Sequence, residues 1–484
     1  RMNKLALLVA LPLITAFLLP LINRASAFAG RWTGPLVLVV TSALGISLWT
    51  QLGDNAVAVE LGGFRPPLGI TLYADRMAVL FALAVSLGTL LLWPNGGEDR
   101  VRQWTLALIL AASGSGLALS GDLFNIYVFY ELVAVVSYGL IAARASAGSY
   151  AATLRYLVVS SFGAAMALTG IALVYQATGT LNLAQLAQLA PTQLNNLQGL
   201  AAFVLMLIGF GVKAELFPVN TWVPEVYATA PARVSGLLAG VVSKLALLII
   251  VRLLVLVFHQ PEALTVMLVL GIMGVITGEL AAWRARDFKR MIAFSSIGQL
   301  GIMFIAFAIP GKAGIFAGLA VALHHLVVKP ALFLLAERWN GSLSSLAGAG
   351  RTSPLAAALF ILLALSLIGV PPLPGFWAKL LVLVELSEQA QPLYYLGAFV
   401  ILAGAALEAN YLFRVASRFY DKNKDQKAPA AQRIPDLATA SLLCAVLAGS
   451  IFVLTPLAVQ IEGIATQAAD ATHYIQTVNP ETLP

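Results

Sequence analysis

Residues 232–256 read ARVSGLLAGVVSKLALLIIVRLLVL. A helix that crosses a bilayer needs about 20 mostly apolar residues, and this stretch supplies them without interruption. Lys244 stands in its middle. It follows Arg233 by enough residues to lie about 16 Å deep at 1.5 Å per residue. An ionisable side chain at that depth costs at least about 2.5–3.5 kcal/mol. The stretch therefore places the chain in lipid and marks a charge that must be explained.

The whole chain agrees. Of its 484 residues 60% are hydrophobic and 11% charged, with a mean hydropathy of +0.88. A soluble chain would carry roughly a quarter charged residues. The apolar runs are continuous rather than alternating, which excludes a β-barrel. The single Cys444 excludes a disulfide framework, a thiolate zinc site and an iron–sulfur cluster. There is no Gly-rich dinucleotide fingerprint and no strand to carry one, and the four histidines form no metal-ligand cluster. No cofactor is expected.

The pattern predicts an all-α polytopic membrane protein with about fourteen spans. They lie near 5–22, 34–51, 74–93, 104–120, 122–142, 154–175, 198–217, 232–256, 262–282, 291–309, 313–336, 354–388 (interrupted), 394–413 and 436–457. Residues 220–230 read as a short second half of the seventh. Residues 181–198 read as a loop or interfacial helix, and the chain from about 458 as a polar external tail. Lys4, an apolar run and Ala25-Ser26-Ala27 imitate a secretory signal. The run is long for one, and Arg24 abuts the cleavage position, so a retained helix is expected. Arg1 before Met2 reads as a remnant of numbering.

Basic residues collect in cytoplasmic loops. Eighteen of the 29 follow odd-numbered segments and three follow even-numbered ones. That asymmetry predicts external termini and assigns most of the +7 net charge to topology, leaving no case for nucleic-acid binding. Apart from Arg1 and Lys4, six remain: Lys213, Arg233, Lys244, Arg252, Lys329 and Lys379. Arg233 and Arg252 lie near the ends of their helix and read as snorkelling side chains. The four lysines are buried by position. Among the acids, Glu131 lies about 13 Å beyond Asp122 along the fifth segment, Glu408 is mid-segment, and Glu279 sits near a helix end. Glu215 is two residues from Lys213, so the two face different ways on a regular helix. His324 and His325 fall mid-segment, and Lys329 shares a face with His325 one turn on. Pro330 then removes a backbone hydrogen bond.

Two helices read as broken: KAELFPVNTWVP, 213–224, and GVPPLPGFWAK, 369–379. Freed backbone groups are tolerated at depth only inside protein or beside water. These are segments 7 and 12, and a repeat shifted by five helices inverts its orientation. Segments 4–8 and 9–13 are thus expected to be inverted repeats, matching Lys213 with Lys379 and Lys244 with Glu408. The expected divisions are 1–103, 104–257, 258–420 and 421–484.

These residues resemble the antiporter-like subunits shared by Mrp cation/proton antiporters, respiratory complex I and membrane-bound hydrogenases. The resemblance runs over roughly 60–420. GDLFNIYVFYE, 121–131, is similar to the family's fifth helix. KAELFPVNTWVPEVYATAPARVSG, 213–236, resembles the broken seventh, VVSKLALLIIVR the eighth and RDFKRMIAFSSIGQLG, 286–301, the tenth. HHLVVKPALFLL resembles the eleventh and GVPPLPGFWAK the broken twelfth. GGFRPPLGITLYADR, 62–76, is most similar to the D-type subunit of Mrp antiporters. The long lateral helix of the largest complex I relative is not expected. Glu225 stands where Asp is frequent and Gln299 where many members carry His.

The resemblance implies proton transfer along Glu131, Lys213, Lys244, His325, Lys329 and Lys379, with Glu215, His324 and Glu408 as further candidates. Glu131–Lys213 would be a switchable pair, Lys244, His325 and Lys329 a relay, and Lys379 its far end. Implied partners are the lipid bilayer, protons, sodium, and other membrane subunits of an antiporter or redox complex in a prokaryotic cytoplasmic membrane. A sodium/proton antiporter subunit, the pump subunit of a redox-driven complex and a non-conducting scaffold are the three readings.

Overall fold

The computed structural model of the chain describes residues 2–94, 99–339, 341–421 and 433–479. Arg1 and the loop lysines Lys422, Lys424 and Lys427 lie outside the described residues. Ten described helices are long and apolar enough to cross a membrane, among them Leu123–Ala142, Ala147–Thr178, Ala232–Leu256, Phe288–Phe307 and Gly311–Ala336. The other four expected spans are also helical. Arg76–Leu91, Leu197–Gly211 and Pro354–Ile368 are shorter apolar helices, and Arg100–Leu119 has 20 residues.

Two elements differ from the sequence reading. An antiparallel hairpin pairs Val57–Glu60 with Thr71–Ala74, so the chain does contain strands. The polar stretch after 181, expected as a loop or an interfacial helix, forms the helix Leu183–Gln193, capped where Asn182 Oδ1 accepts from Ala184 and Gln185 N–H. The tail beyond 458 is helical through Leu454–Ala468 and Ala471–Val478.

Two compact units interleave along the chain. One comprises Arg1–Ala214, Val241–Val266 and Gly463–Pro484, the other Glu215–Gly240 and Met267–Glu462. In the first, Gly163 and Gly209 let helices Ala147–Thr178 and Leu197–Gly211 touch backbone to backbone. A Cβ on Gly209 would come within 2.5 Å of the Gly163 carbonyl oxygen. Small residues at such crossings are how helices associate without a hydrophobic drive between them. In the second, Gly271 and Gly278 meet Gly301 and Gly298 on Phe288–Phe307 in the same manner.

Burial follows position. About a third of the core window of each of the first two helices is buried, against 89% for Ala232–Leu256 and Phe288–Phe307. Partly exposed apolar side chains of the less buried helices suit lipid, and the strongly buried helices Ala232–Leu256 and Gly311–Ala336 carry Lys244, His324, His325 and Lys329. Arg233 and Arg252 do not snorkel. Arg233 pairs with Asp436 at 2.9 Å, and Arg252 pairs with Asp75 beneath the rings of Tyr73 and Tyr474. Lys289, counted with the loop charges, is buried and pairs with Glu337 at 2.9 Å. Each acid neutralises a cation that length alone could not have carried to water.

Candidate functional site

Asp122 starts helix Leu123–Ala142 by accepting from Phe124 and Asn125 N–H at 3.0 and 2.9 Å. This sets Glu131 mid-helix, where its side chain remains 30% exposed and Lys213 Nζ lies 3.9 Å away. That distance exceeds a hydrogen bond. The buried ammonium has two other neighbours. It donates to Ser160 Oγ at 3.4 Å and sits 3.2 Å from the centre of the Tyr130 ring. Tyr130 is itself fixed, donating to Gly209 O at 2.8 Å. The Gly163–Gly209 crossing thus brings Ser160 and Lys213 together.

Regular helix stops at Gly211 and resumes at Val223–Thr229. Glu215 adopts φ of +59° in the gap, so the expectation of two faces on one regular helix gives way to a break. Its carboxylate accepts from Tyr227 Oη at 2.7 Å and Ser296 Oγ at 3.2 Å. Lys244 is fully buried, and its Nζ donates to Ser243 Oγ at 3.1 Å. A π-helical turn, Leu238–Val242, immediately precedes it; such turns cluster at functional positions. Gly240 in that turn packs on Pro330, where a Cβ would meet the ring at 2.6 Å.

Helix Gly311–Ala336 carries His324, His325 and Lys329, all buried. Lys329 donates to Ser295 Oγ at 2.7 Å and Ile292 O at 3.3 Å. His324 Nε2 lies 2.9 Å from Ser366 Oγ and faces the twelfth-helix break rather than Lys329. That break runs from Gly369 in the left-handed region to Pro374 at the start of Pro374–Glu388. Lys379 fills it. Its ammonium donates to Leu367 O at 2.6 Å, Ile368 O at 3.3 Å and Glu408 Oε2 at 2.7 Å. Gln299 donates to both Glu408 oxygens at 2.9 and 3.1 Å. An amide carries no titratable proton; here it orients a carboxylate.

Glu279 belongs with these groups, although its place near a helix end concealed it. It is buried, and Tyr411 Oη donates to its Oε2 at 2.9 Å. Gly298 and Gly404 leave room for it: a Cβ on Gly298 would come within 2.2 Å of Glu279 Oε1. The glycine spacing of 271, 274 and 278 was the available signal.

The family model described as NADH:quinone oxidoreductase/Mrp antiporter, TM matches residues 120–404. The N-type subunit of the NADH-quinone oxidoreductase of Desulforudis audaxviator is 32% identical over 449 residues, covering 88% of each chain. The D-type subunit of the Na(+)/H(+) antiporter of Alkalihalophilus pseudofirmus is 29% identical over 503 residues, covering 99% of this chain and all of that one. A chain in the archaeal membrane-bound sulfane sulfur reductase superposes with a TM-score of 0.91 at 27% identity, covering 98% of this chain and 99% of that one. One in the Mrp complex of Dietzia sp. DQ12-45-1b gives 0.90 at 26%, covering 99% and 100%. The matched span takes in the fifth helix, both breaks and Lys213, Lys244, Lys329 and Lys379, and on it the chain belongs to the NADH:quinone oxidoreductase/Mrp antiporter transmembrane family.

Proposed function

We propose that this chain is the proton-translocating, antiporter-like membrane subunit of a multisubunit sodium (monovalent cation)/proton antiporter, in the role of the D-type subunit. The observation that carries the reading is the burial of Lys213, Lys244, Lys329 and Lys379 inside apolar helices or at their breaks. Burying a charge is expensive unless it is paired, and four such lysines with carboxylate, hydroxyl and carbonyl partners form a set of proton-holding groups.

Glu131 and Lys213 form the switch. At 3.9 Å the pair is open, and Ser160 and the Tyr130 ring give the ammonium alternative company. Movement or hydration of the carboxylate changes the lysine's affinity for its proton. Lys244, His325 and Lys329 serve as relay groups. Lys379 is the terminal, anchored by Glu408, with Glu215 and His324 in supporting positions. The exposed flank of Glu131, mid-helix at lipid depth, calls for cover by another membrane subunit. The inverted five-helix repeats, placed at 104–257 and 258–420, give each half one lysine at a helix break. We place the chain in a prokaryotic cytoplasmic membrane with its basic loops inside and its termini outside.

Replacing Lys213 or Glu131 with alanine is expected to abolish cation-driven ΔpH formation in inverted vesicles while the complex still assembles. Full activity in an assembled complex defeats the proposal. A second reading, the pump subunit of a redox-driven complex, is favoured by the 32% identity to a quinone oxidoreductase subunit. A sodium gradient applied without an electron donor separates the two, because only the antiporter then acidifies or alkalinises the lumen.

A further inference from the structure

We propose that Glu279 is the outer terminal of a side branch that exchanges protons between Lys329 and an arginine-lined cavity. This rests on the proton-transfer reading above. The groups form a line. Lys329 Nζ donates to Ser295 Oγ at 2.7 Å, the Ser295 side chain neighbours the Tyr411 hydroxyl, and Tyr411 Oη donates to Glu279 Oε2 at 2.9 Å. Tyrosine has one hydroxyl proton, committed to Glu279, so of the two hydroxyls only Ser295 can donate to the other. Both hydrogen bonds point from Lys329 toward Glu279.

The line ends beside an opening. A cavity of about 560 Å³ is lined by Trp283, Arg284, Arg286, Ser344, Arg414 and Arg418, among others. Trp283 follows Glu279 by four residues and Arg414 follows Tyr411 by three, about one helical turn in each helix, or roughly 6 Å and roughly 4.5 Å of rise. Two bonds brace the helices at that level. Arg414 Nη2 donates to Trp283 O at 2.8 Å, and Trp283 Nε1 donates to Asn410 Oδ1 at 3.1 Å. The cavity's guanidinium groups stay charged and take no part in exchange. Glu279 is thus the first group above the cavity able to hold a proton, in a niche opened by Gly298 and Gly404. Glu408, Lys379 and Lys329 are the other charges that act on it.

In one passage the Lys329 ammonium gives a proton to Ser295, Ser295 gives its own to Tyr411, and Tyr411 gives its own to Glu279. One N–H and two O–H bonds break and three O–H bonds form. Lys329 is left a neutral amine and Glu279 a neutral acid, which releases its proton to water in the cavity. With the hydroxyls turned, the same line reloads Lys329.

The test compares Tyr411→Phe, Glu279→Gln and Glu279→Ala with Lys213→Ala, in inverted vesicles holding the whole complex, with co-purification of the partner subunits as the check on assembly. The first three are expected to slow ΔpH formation roughly 10²-fold, the scale of a positioned proton-transfer group. Added formate, small enough for the space vacated in Glu279→Ala, is expected to restore part of the rate. Wild-type rates for Tyr411→Phe and Glu279→Gln, with Lys213→Ala inactive, overturn the branch and leave the main reading standing. Wild-type rates in all four overturn the main reading as well. A slow Glu279→Ala that formate does not rescue makes Glu279 a structural residue and overturns its assignment as a proton acceptor.

Discussion

Lys379 spends its three ammonium protons on three acceptors: the carbonyls of Leu367 and Ile368, orphaned by the helix break, and Glu408. Cations are favoured at a helix C-terminus because the last carbonyls there are unsatisfied. Removing one member of a buried ion pair costs about 3–5 kcal/mol, since the other charge is left behind. Glu408→Ala is therefore expected to lower the melting temperature of the purified complex, with Glu408→Gln milder because an amide oxygen can still accept from Lys379. An unchanged melting temperature in Glu408→Ala shows that the carbonyls alone hold the lysine. Lys213→Ala is expected to cost little stability, because its carboxylate partner stands 3.9 Å away and partly exposed. The lysines were legible because composition made each one an exception. The partners of Arg233 and Arg252 were not, because Asp436 and Asp75 are 203 and 177 residues distant along the chain. Nothing local in a sequence specifies such a pairing.

At the scale of elements, glycine crossings decide which polar groups meet. Gly209→Leu forces the Ala147–Thr178 and Leu197–Gly211 helices apart, since even a Cβ there meets the Gly163 carbonyl oxygen. Overpacking of this kind costs about 1–3 kcal/mol. The variant is expected to lose transport through separation of Ser160 from Lys213, measured as ΔpH rate per assembled complex; a wild-type rate detaches the crossing from the switch. Both helix breaks were readable, because proline lacks the donor a continuous helix needs. The hairpin at Val57–Glu60 and Thr71–Ala74 was missed. Its four-residue strands are too short to show alternation beside long apolar runs. The helical tail was missed for a related reason: polarity signals departure from lipid, not absence of helix.

At the scale of the molecule, helix order was legible from apolar length, and the units were not. The repeat proposed at 104–257 and 258–420 is a pattern of helix order. The two compact units are a pattern of contacts, and each gathers segments that lie far apart along the chain. Sidedness can be measured directly. In a chain whose single native cysteine, Cys444, is replaced by serine, Ala147→Cys is expected to react with an impermeant maleimide only from the cytoplasmic side, and Asn195→Cys only from outside. Reversed labelling inverts the topology.

The first unit is completed by residues from the far end of the chain. Tyr474 lies against Tyr73 with ring centres 3.9 Å apart, and the Arg252 guanidinium lies 5.4 and 5.7 Å from the two rings. Burial pushes both phenols above their usual range, so they stay uncharged beside Asp75. On a ribosome adding 5–20 residues per second, about 20–80 s separate the emergence of the first ring from that of the second. Throughout that interval the piece that closes on the hairpin does not yet exist. The order of synthesis thus gives this corner of the protein a fixed calendar: Tyr73 and Asp75 first, Arg252 midway, and Tyr474 last.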